Sequence, residues 1–212
     1  MHANVQINIL KFSQVLIPGY GGGCASLALK MAAALEADVV VTTQRSEIKR
    51  KYAKKYGALD CVHTANNPQW PFDAKKLLPK GQQVGNDFKL ALNHSESPML
   101  SQDGFDIIVD GIGGSTFGGL QLACAKHARI AFYGDLYGRW CCINPAAFFI
   151  KHVQLHGTSV QGKQNFVDML NFVNDKKVVP ILHPMNFDLS QARASTPTLL
   201  DDCMIESAFH FC

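Results

Sequence analysis

Glycines near the start of the chain have the spacing that points most directly to a chemistry. The stretch Pro18-Gly19-Tyr20-Gly21-Gly22-Gly23-Cys24 follows an apolar run and fits the pattern G-x-G-x-x-G, with Cys24 in the third position. In such a loop the first glycine makes a tight turn, the second lets N–H groups approach a pyrophosphate, and the third allows close helix–strand packing. We expect Cys24 to fit there at some packing cost. The pattern predicts a dinucleotide site with these candidate residues: Gly19, Tyr20, Gly21, Gly22, Gly23 and Cys24.

The elements around this loop support that interpretation. Residues 15–17 have the composition of a strand, residues 25–35 that of a helix, and residues 39–42 that of a second strand. A dinucleotide loop requires this context within a unit of roughly 30 residues. The competing interpretation is a glycine turn that binds nothing.

The end of the second predicted strand bears on the choice of cofactor. An NAD site usually has an acidic residue there for the ribose 2′-hydroxyl, but the stretch Val41-Thr42-Thr43-Gln44-Arg45-Ser46 has none. We therefore predict NADP(H), with NAD(H) less favoured, because a 2′-phosphate is stabilised by hydroxyl groups and cations. The candidate residues are Thr42, Thr43, Arg45, Ser46 and Lys49. The alternative is that Arg45, Lys49 and Arg50 form only a solvated helix face.

Short β-rich runs alternate with helical stretches along most of the chain, which predicts an α/β fold of the Rossmann type with a doubly wound parallel sheet. Ser46 should cap a helix that Gly57 ends. Further strands are predicted at residues 61–63, 105–109, 129–132, 153–160 and 178–182, and helices at 116–126 and 164–176. We expect a residual segment 1–14, a Rossmann domain 15–188 with a flexible insertion at about 82–103, and a divergent tail 189–212.

Composition excludes several classes of protein. The net charge of +3 is too mild to indicate nucleic acid or a membrane surface as a partner. Seven cysteines without a C-x-x-C pair favour free thiols in the cytoplasm. No zinc site is predicted, because no ligands cluster at short spacing. Four histidines near predicted strands lack a paired acid or a second ligand at useful spacing: His63, His152, His156 and His183.

Three competing nucleotide-dependent classes lack a residue that their chemistry requires. Ile17 stands where a methyltransferase loop usually has an acid, and no tyrosine has a lysine four residues later, as a short-chain dehydrogenase needs. Residues 157–163 begin like a P-loop, but Gln164 replaces the hydroxyl that would bind Mg²⁺.

Several stretches resemble the medium-chain dehydrogenase/reductase superfamily, and their order and spacing agree over about residues 15–195. Besides the glycine loop they are Lys-Lys-Tyr-Gly-Ala58, Gly104-Phe-Asp-Ile-Ile-Val-Asp-Gly-Ile-Gly-Gly114, Ala128-Arg-Ile-Ala-Phe-Tyr-Gly134 and Lys151-His-Val-Gln-Leu-His-Gly157. The nearest branch is similar to zinc-type alcohol dehydrogenase-like and quinone oxidoreductase-like proteins. The resemblance implies NAD(P)H-dependent reduction of a carbonyl, quinone or activated alkene. It also implies that loops containing Gly111, Gly134, Asp135 and Gly162 flank the nicotinamide, and that an edge strand pairs two copies of the domain, with residues 178–182 as the candidate.

One departure from that superfamily limits what can be carried over. Its members have an N-terminal β-rich domain that supplies the substrate pocket and, in zinc enzymes, the metal ligands, whereas here only residues 1–14 precede the first strand. The catalytic residues are therefore unknown, and we expect slow turnover from these 212 residues alone. Two functions remain open: the cofactor half of an oxidoreductase, or a non-catalytic nucleotide-binding or dimerisation module that is a truncated gene product.

Overall fold

The described residues form one six-stranded sheet in which all strands are parallel. The computed structural model describes residues 9, 11–44, 46–79, 104–182, 188 and 190. The strands are β1 (Gln14–Ile17), β2 (Asp38–Thr43), β3 (Asp60–His63), β4 (Phe105–Asp110), β5 (Cys124–Phe132) and β6 (Gln154–Gly157). Their spatial order is β3-β2-β1-β4-β5-β6, with parallel pairing throughout. This order confirms the prediction of a doubly wound Rossmann sheet.

Six helices and one short 3₁₀ turn (Gly114–Thr116) accompany these strands in the described part of the chain. The helices are α1 (Gly23–Ala34), α2 (Glu47–Lys55), α3 (Trp70–Lys76), α4 (Phe117–Ala123), α5 (Pro145–Phe149) and α6 (Lys163–Asp175). Ser46 caps α2 as predicted, because its Oγ accepts a hydrogen bond from the amide of Lys49 at 3.1 Å. Gly57 follows α2 with φ +111°, a conformation that a glycine adopts without strain.

Successive side chains of each strand point to opposite faces of the sheet, so the core has two layers, one on each face. Leu16 and Ile108 face one side, where they pack with Phe117 of α4 and Trp70 of α3. The neighbouring residues on the same strands face the other side and pack against α1, which contributes Leu29. The central strands are almost entirely buried, as expected of a parallel sheet covered on both faces.

The structure corrects the bounds of three predicted elements. The helix predicted to end at residue 126 ends at Ala123, and β5 begins directly at Cys124, five residues before the predicted start. Cys124 has an extended backbone (φ −61°, ψ 137°) and pairs with Phe105, so pairing with β4 outweighs the helical preference of the local sequence. The strand predicted at 153–160 is limited to Gln154–Gly157.

Residues 178–182 form no strand, so that prediction is wrong. Val178 instead follows α6, where its amide donates to the carbonyl of Val173 at 2.9 Å and its side chain is buried. Among the described strands, the edge of the sheet on this side is β6. The predicted insertion at 82–103 and nearly all of the predicted tail lie outside the described residues. Within the described residues, no helix combines the length and the apolar character needed to cross a membrane.

Candidate functional site

A cleft opens at the carboxyl ends of the central strands. The chain runs from β1 to β2 and β3 on one side of the sheet and then from β4 to β5 and β6 on the other, so the strand order reverses between β1 and β4. Ligands of doubly wound sheets bind at such a reversal point. The cleft there has a volume of about 320 Å³, and Gly19, Thr42 and Thr43, which were predicted site residues, line it.

The glycine loop turns sharply out of β1 into the start of α1. Gly19 and Gly21 have φ values of +66° and +137°, which strongly favour glycine. A Cβ on Gly19 would lie only 2.1 Å from Cδ1 of Ile112, so the loop after β4 approaches the bare backbone closely. No side chain caps the start of α1 at Gly22. The positive end of this helix is therefore open to an external acceptor such as a phosphate.

Thr42 connects the glycine loop to the end of β2. Its Oγ1 accepts a hydrogen bond from the amide of Gly19 at 3.2 Å, and its carbonyl accepts one from the amide of Tyr20 at 2.7 Å. The Thr42 side chain is buried, so both contacts are shielded from solvent. Thr42 thus fixes the loop that would receive the diphosphate.

Two residues of the glycine motif lie elsewhere than predicted. The side chain of Tyr20 is buried in the core beside Leu29, where burial raises the pKa of its hydroxyl to about 12, so it is not directed to the cleft. Cys24 is exposed and does not pack against the sheet. Ala25 and Ser26 are the buried residues at the start of α1. The close packing expected of the third glycine is therefore provided by Ala25, and Cys24 carries no packing cost.

The start of α2 lies beside the end of β2. Lys49 is half-buried in the first turn, and Ser46 precedes it as the cap. Arg50 is committed elsewhere, because its guanidinium donates to both carboxylate oxygens of Asp60 at 2.8 and 3.0 Å. That pair lowers the pKa of Asp60 to about 2. Among the cations predicted to bind the 2′-phosphate, Lys49 is the one in the described residues that could face a phosphate. Arg45 lies outside the described residues.

The loop after β4 is shaped by Asp110. This carboxylate is fully buried and accepts hydrogen bonds from the amides of Ile112 (2.9 Å) and Gly113 (3.3 Å). Its burial raises its pKa, while the two amides act in the opposite direction. Asp110 therefore holds the turn that places Ile112 over Gly19.

The loops after β4 and β5 are packed closely against each other. A Cβ on Gly111 would lie 2.4 Å from the ring of Tyr133, and a Cβ on Gly134 would lie 2.8 Å from the carbonyl oxygen of Gly111. In addition, the amide of Tyr137 donates to the carbonyl of Ile112 at 2.8 Å. The predicted residues Gly111 and Gly134 thus bring the two loops together next to the cleft.

The other two residues that were expected to flank the nicotinamide, Asp135 and Gly162, do not line the cleft. Asp135 is exposed and its carboxylate faces Arg139, with 3.4 Å between Oδ2 and Nε. Gly162 is the N-cap of α6, and a Cβ placed on it would meet nothing within 4 Å. Neither residue lines the cleft between β1 and β4.

Several lining residues were not among the predicted site residues, and three of them are Gln44, Ile112 and Tyr137. Gln44 directly follows β2, and its side-chain amide donates to the hydroxyl of Tyr137, which spans the cleft from the loop after β5. Ile112 covers Gly19 from the loop after β4. Gln44 and Ile112 could have been found from the sequence because they lie one and two residues after the ends of β2 and β4, which the sequence predicted as strands, at the ligand-binding edge of a parallel sheet.

Metal ligands do not gather in the described part of the chain, which contains no group of three or more His, Cys, Asp or Glu residues arranged to hold an ion. His63 lies 3.6 Å from a carboxylate oxygen of Glu47, and His156 contacts Gln154. The residues described here therefore do not fit a catalytic zinc ion, and we derive no chemical step through one.

Together, the reversed strand order, the uncapped helix start and the glycine loop define a Rossmann domain with the features of a dinucleotide site. The family model "Zinc-binding dehydrogenase" matches residues 23–175, which is most of the chain. The chain belongs to this family.

Individual relatives agree with this assignment. The chain is 26% identical over 172 residues to the zinc-type alcohol dehydrogenase-like protein YogA of Leptosphaeria maculans, covering 79% of this chain and 41% of the relative. A solved NAD-dependent alcohol dehydrogenase matches with a TM-score of 0.65 and 26% identity, over 82% of this chain and 44% of that protein. The NADPH-bound structure of YhdH from E. coli K-12 shares the fold at a TM-score of 0.64 and 16% identity, covering 92% and 54%. The chain thus spans about half of the length of these relatives.

Proposed function

We propose that this chain is the cofactor-binding part of an NADP(H)-dependent oxidoreductase that reduces a carbonyl, quinone or enal, or oxidises an alcohol, by hydride transfer. The observation that carries this proposal is the chemistry of the side chains at the end of β2, which line the cleft. Thr42, Thr43 and Gln44 line it with hydroxyl and amide groups and without a carboxylate. A carboxylate at this place would select the ribose 2′-hydroxyl of NAD and repel a 2′-phosphate.

The residues proposed to receive the 2′-phosphate lie at the start of α2. Ser46 offers a hydroxyl group and Lys49 an ammonium group, and the helix itself presents its positive end there. Glu47 opposes an anion at this place, although its carboxylate lies 4.0 Å from the guanidinium of Arg50. We include Arg45 as a further cation in the proposal because it directly precedes Ser46 in the sequence.

The remaining parts of the site would orient the cofactor. The start of α1 is proposed to hold the diphosphate, and the packed loops at Gly111 and Gly134 to border the nicotinamide half. Nicotinamide supplies the hydride chemistry when it is bound, and the protein positions it and excludes water. In this proposal the described residues form one wall of the cofactor site, and the substrate is a small carbonyl, quinone or alkene.

Dissociation constants for NADPH and NADH, measured by calorimetry on the full chain, test the proposal. We expect NADPH to bind at least about tenfold more tightly, the effect of one charge-assisted contact of roughly 1.4 kcal/mol. Lys49→Gln should remove most of that difference by weakening NADPH and leaving NADH unchanged. Lys51→Gln, on the exposed side of the same helix, is the matched control and should change neither constant. Tighter binding of NADH by the wild type would overturn the NADP(H) preference.

A second candidate is a non-catalytic nucleotide-binding or dimerisation module, and the edge that β6 forms among the described strands favours it. Leu155 on β6 and Phe166 and Leu170 on α6 are large apolar side chains that are 39%, 57% and 41% exposed. We propose that this edge pairs with a second copy of the chain. Size-exclusion chromatography over a range of concentrations should then show a dimer. A monomer at every concentration removes this candidate, and rapid NADPH oxidation with a quinone or enal shows instead that the chain is catalytic.

A further inference from the structure

Two histidine side chains lie face to face just before the point where β5 and β6 begin to pair, at the opposite end of this pairing from the cleft. The ring centres of His127 and His152 are 5.2 Å apart, and their planes differ by 12°. Both side chains are exposed. Twenty-five residues separate them in the sequence, so only the fold brings them together.

The backbone holds this pair in a defined geometry. β5 and β6 pair from Arg129 and Gln154 onward, and the two histidines stand two residues before these partners, so they occupy equivalent positions on neighbouring strands. The amide of His127 donates to the carbonyl of Lys151 at 2.6 Å, which extends the pairing to their level.

Both histidines also have left-handed backbone conformations, with φ values of +59° for His127 and +54° for His152. Few residues other than glycine adopt this region, and histidine is among those enriched there with asparagine and aspartate. The backbone at both positions is therefore defined, and side-chain rotation is the freedom that remains to the two rings.

We propose that His127 and His152 form a two-histidine site for a divalent transition-metal ion, with Cu²⁺ and Ni²⁺ as its best ligands. With metal–nitrogen bonds of about 2.0–2.1 Å and a tetrahedral angle, two imidazoles on one ion have ring centres roughly 5 Å apart. The observed rings lie at this separation but are stacked face to face, so both must rotate before a nitrogen of each can face one ion. Rotation of the exposed rings about their side-chain bonds turns one nitrogen of each towards a common ion, and water fills the other coordination positions.

The neighbouring charges determine which ions this site accepts. Lys126 and Lys151 precede the two histidines and oppose a cation, although the ammonium of Lys151 is held at the carbonyl of Cys124, 2.8 Å away. With no carboxylate in the pair, hard ions such as Mg²⁺ and Ca²⁺ lack their preferred oxygen ligands. Imidazole favours softer ions, in the order Cu²⁺ above Ni²⁺. Binding weakens in acid, because an imidazole must be neutral to coordinate a metal.

Calorimetric titration of the untagged full chain with Cu²⁺ and with Ni²⁺ tests the site. Because the chain has eight histidines, variants are needed to show which of them bind the metal. His127→Asn and His152→Asn keep a residue that tolerates the left-handed backbone, and each should weaken binding by about tenfold or more, because each removes the second, linked ligand. His156→Asn removes a histidine of β6 outside the pair and should leave the affinity unchanged.

The site is overturned if both pair variants bind as tightly as the wild type, if His156→Asn weakens binding equally, or if Mg²⁺ binds with the same affinity. A second measurement needs no variant. Substoichiometric Cu²⁺ should broaden the NMR signals of the His127 and His152 rings before those of His63 and His156. Broadening that begins at other histidines contradicts the proposal even if a variant fails to fold.

Discussion

The backbone amide of Gly19 donates a hydrogen bond to Oγ1 of Thr42 across 3.2 Å, and this contact joins the turn after β1 to the end of β2. The same threonine holds the next residue through its carbonyl. One side chain therefore couples the loop proposed to bind the diphosphate to the strand end proposed to distinguish NADP(H) from NAD(H). Thr42 should matter to the shape of the cleft without any direct contact to the nicotinamide.

Replacing Thr42 by valine keeps the shape of the side chain but removes the oxygen that receives the Gly19 amide. An unpaired amide in this half-buried turn costs about 1–3 kcal/mol. We expect Thr42→Val to lower the free energy of unfolding by about that amount and to weaken dinucleotide binding about tenfold. Urea denaturation and calorimetry measure the two effects. Thr42→Ser retains the hydroxyl and should recover most of both; an equal loss in the serine variant would show that packing, and not the hydrogen bond, is responsible.

Gly19→Ala should damage the cleft in two ways. The φ of +66° costs an alanine about 1–2 kcal/mol, and the new methyl group must displace the side chain of Ile112 from its position at 2.1 Å. Dinucleotide affinity should fall by more than tenfold. Gly19→Ala combined with Ile112→Ala removes the clash but retains the strain, so it should recover part of the affinity. Gly118→Ala is the control, because a Cβ there meets nothing within 4 Å.

Elements set by local chemistry could be predicted from the sequence. The strand, glycine turn and helix at residues 14–34 are determined by neighbouring residues, and so are the Ser46 cap and the turn at Gly57. The parallel sheet followed from the uninterrupted apolar character of strands such as β4. In each case a short stretch contains its own signal.

Features that depend on distant contacts could not be predicted in this way. β5 begins at Cys124 because Phe105 pairs with it from 19 residues earlier. Tyr137 reaches Gln44 across 93 residues, and the spacing of the histidines gave no sign that His127 and His152 meet. The role of Cys24 was assigned wrongly because a spacing pattern does not say which of two adjacent small residues faces the sheet.

The ion pair between Arg50 and Asp60 should appear in the acid stability of the protein. The pKa of Asp60 is lowered from 3.8 to about 2 when the chain folds. The unfolded chain therefore takes up a proton first, so this stabilisation is complete above about pH 4 and is lost as the pH falls towards 2. Asp60→Asn should lower the free energy of unfolding by about 1 kcal/mol at neutral pH, given the partly exposed guanidinium. The urea concentrations at the midpoint of unfolding should differ between variant and wild type at pH 7 and converge as the pH falls to 2. A difference in midpoint that stays constant with pH would contradict this account.

Asp106 should have the opposite pH dependence. Its carboxylate is buried, accepts one hydrogen bond from the Gln14 amide at 3.0 Å, and has no partner for Oδ1 among the described residues. Burial raises its pKa from 3.8 to about 6, although the charge of Arg129 acts against this. Between these values the folded chain holds a proton that the unfolded chain has lost. The contribution of Asp106 to stability therefore falls as the pH rises from about 4 to 6 and stays low above that.

Asp106→Asn removes this buried charge and keeps an oxygen for the Gln14 amide. A pKa raised from 3.8 to about 6 corresponds to at most about 3 kcal/mol, so a gain of about 1 kcal/mol in the free energy of unfolding at pH 7 is expected. The gain should vanish near pH 4. Asp110→Asn is the matched comparison, because both of its oxygens accept amide hydrogens and a new NH₂ group must oppose one of them. It should destabilise the protein at pH 7 by about 1–3 kcal/mol. Equal effects of the two substitutions would show that burial alone, and not the hydrogen bonds received, decides the cost of a carboxylate in this sheet.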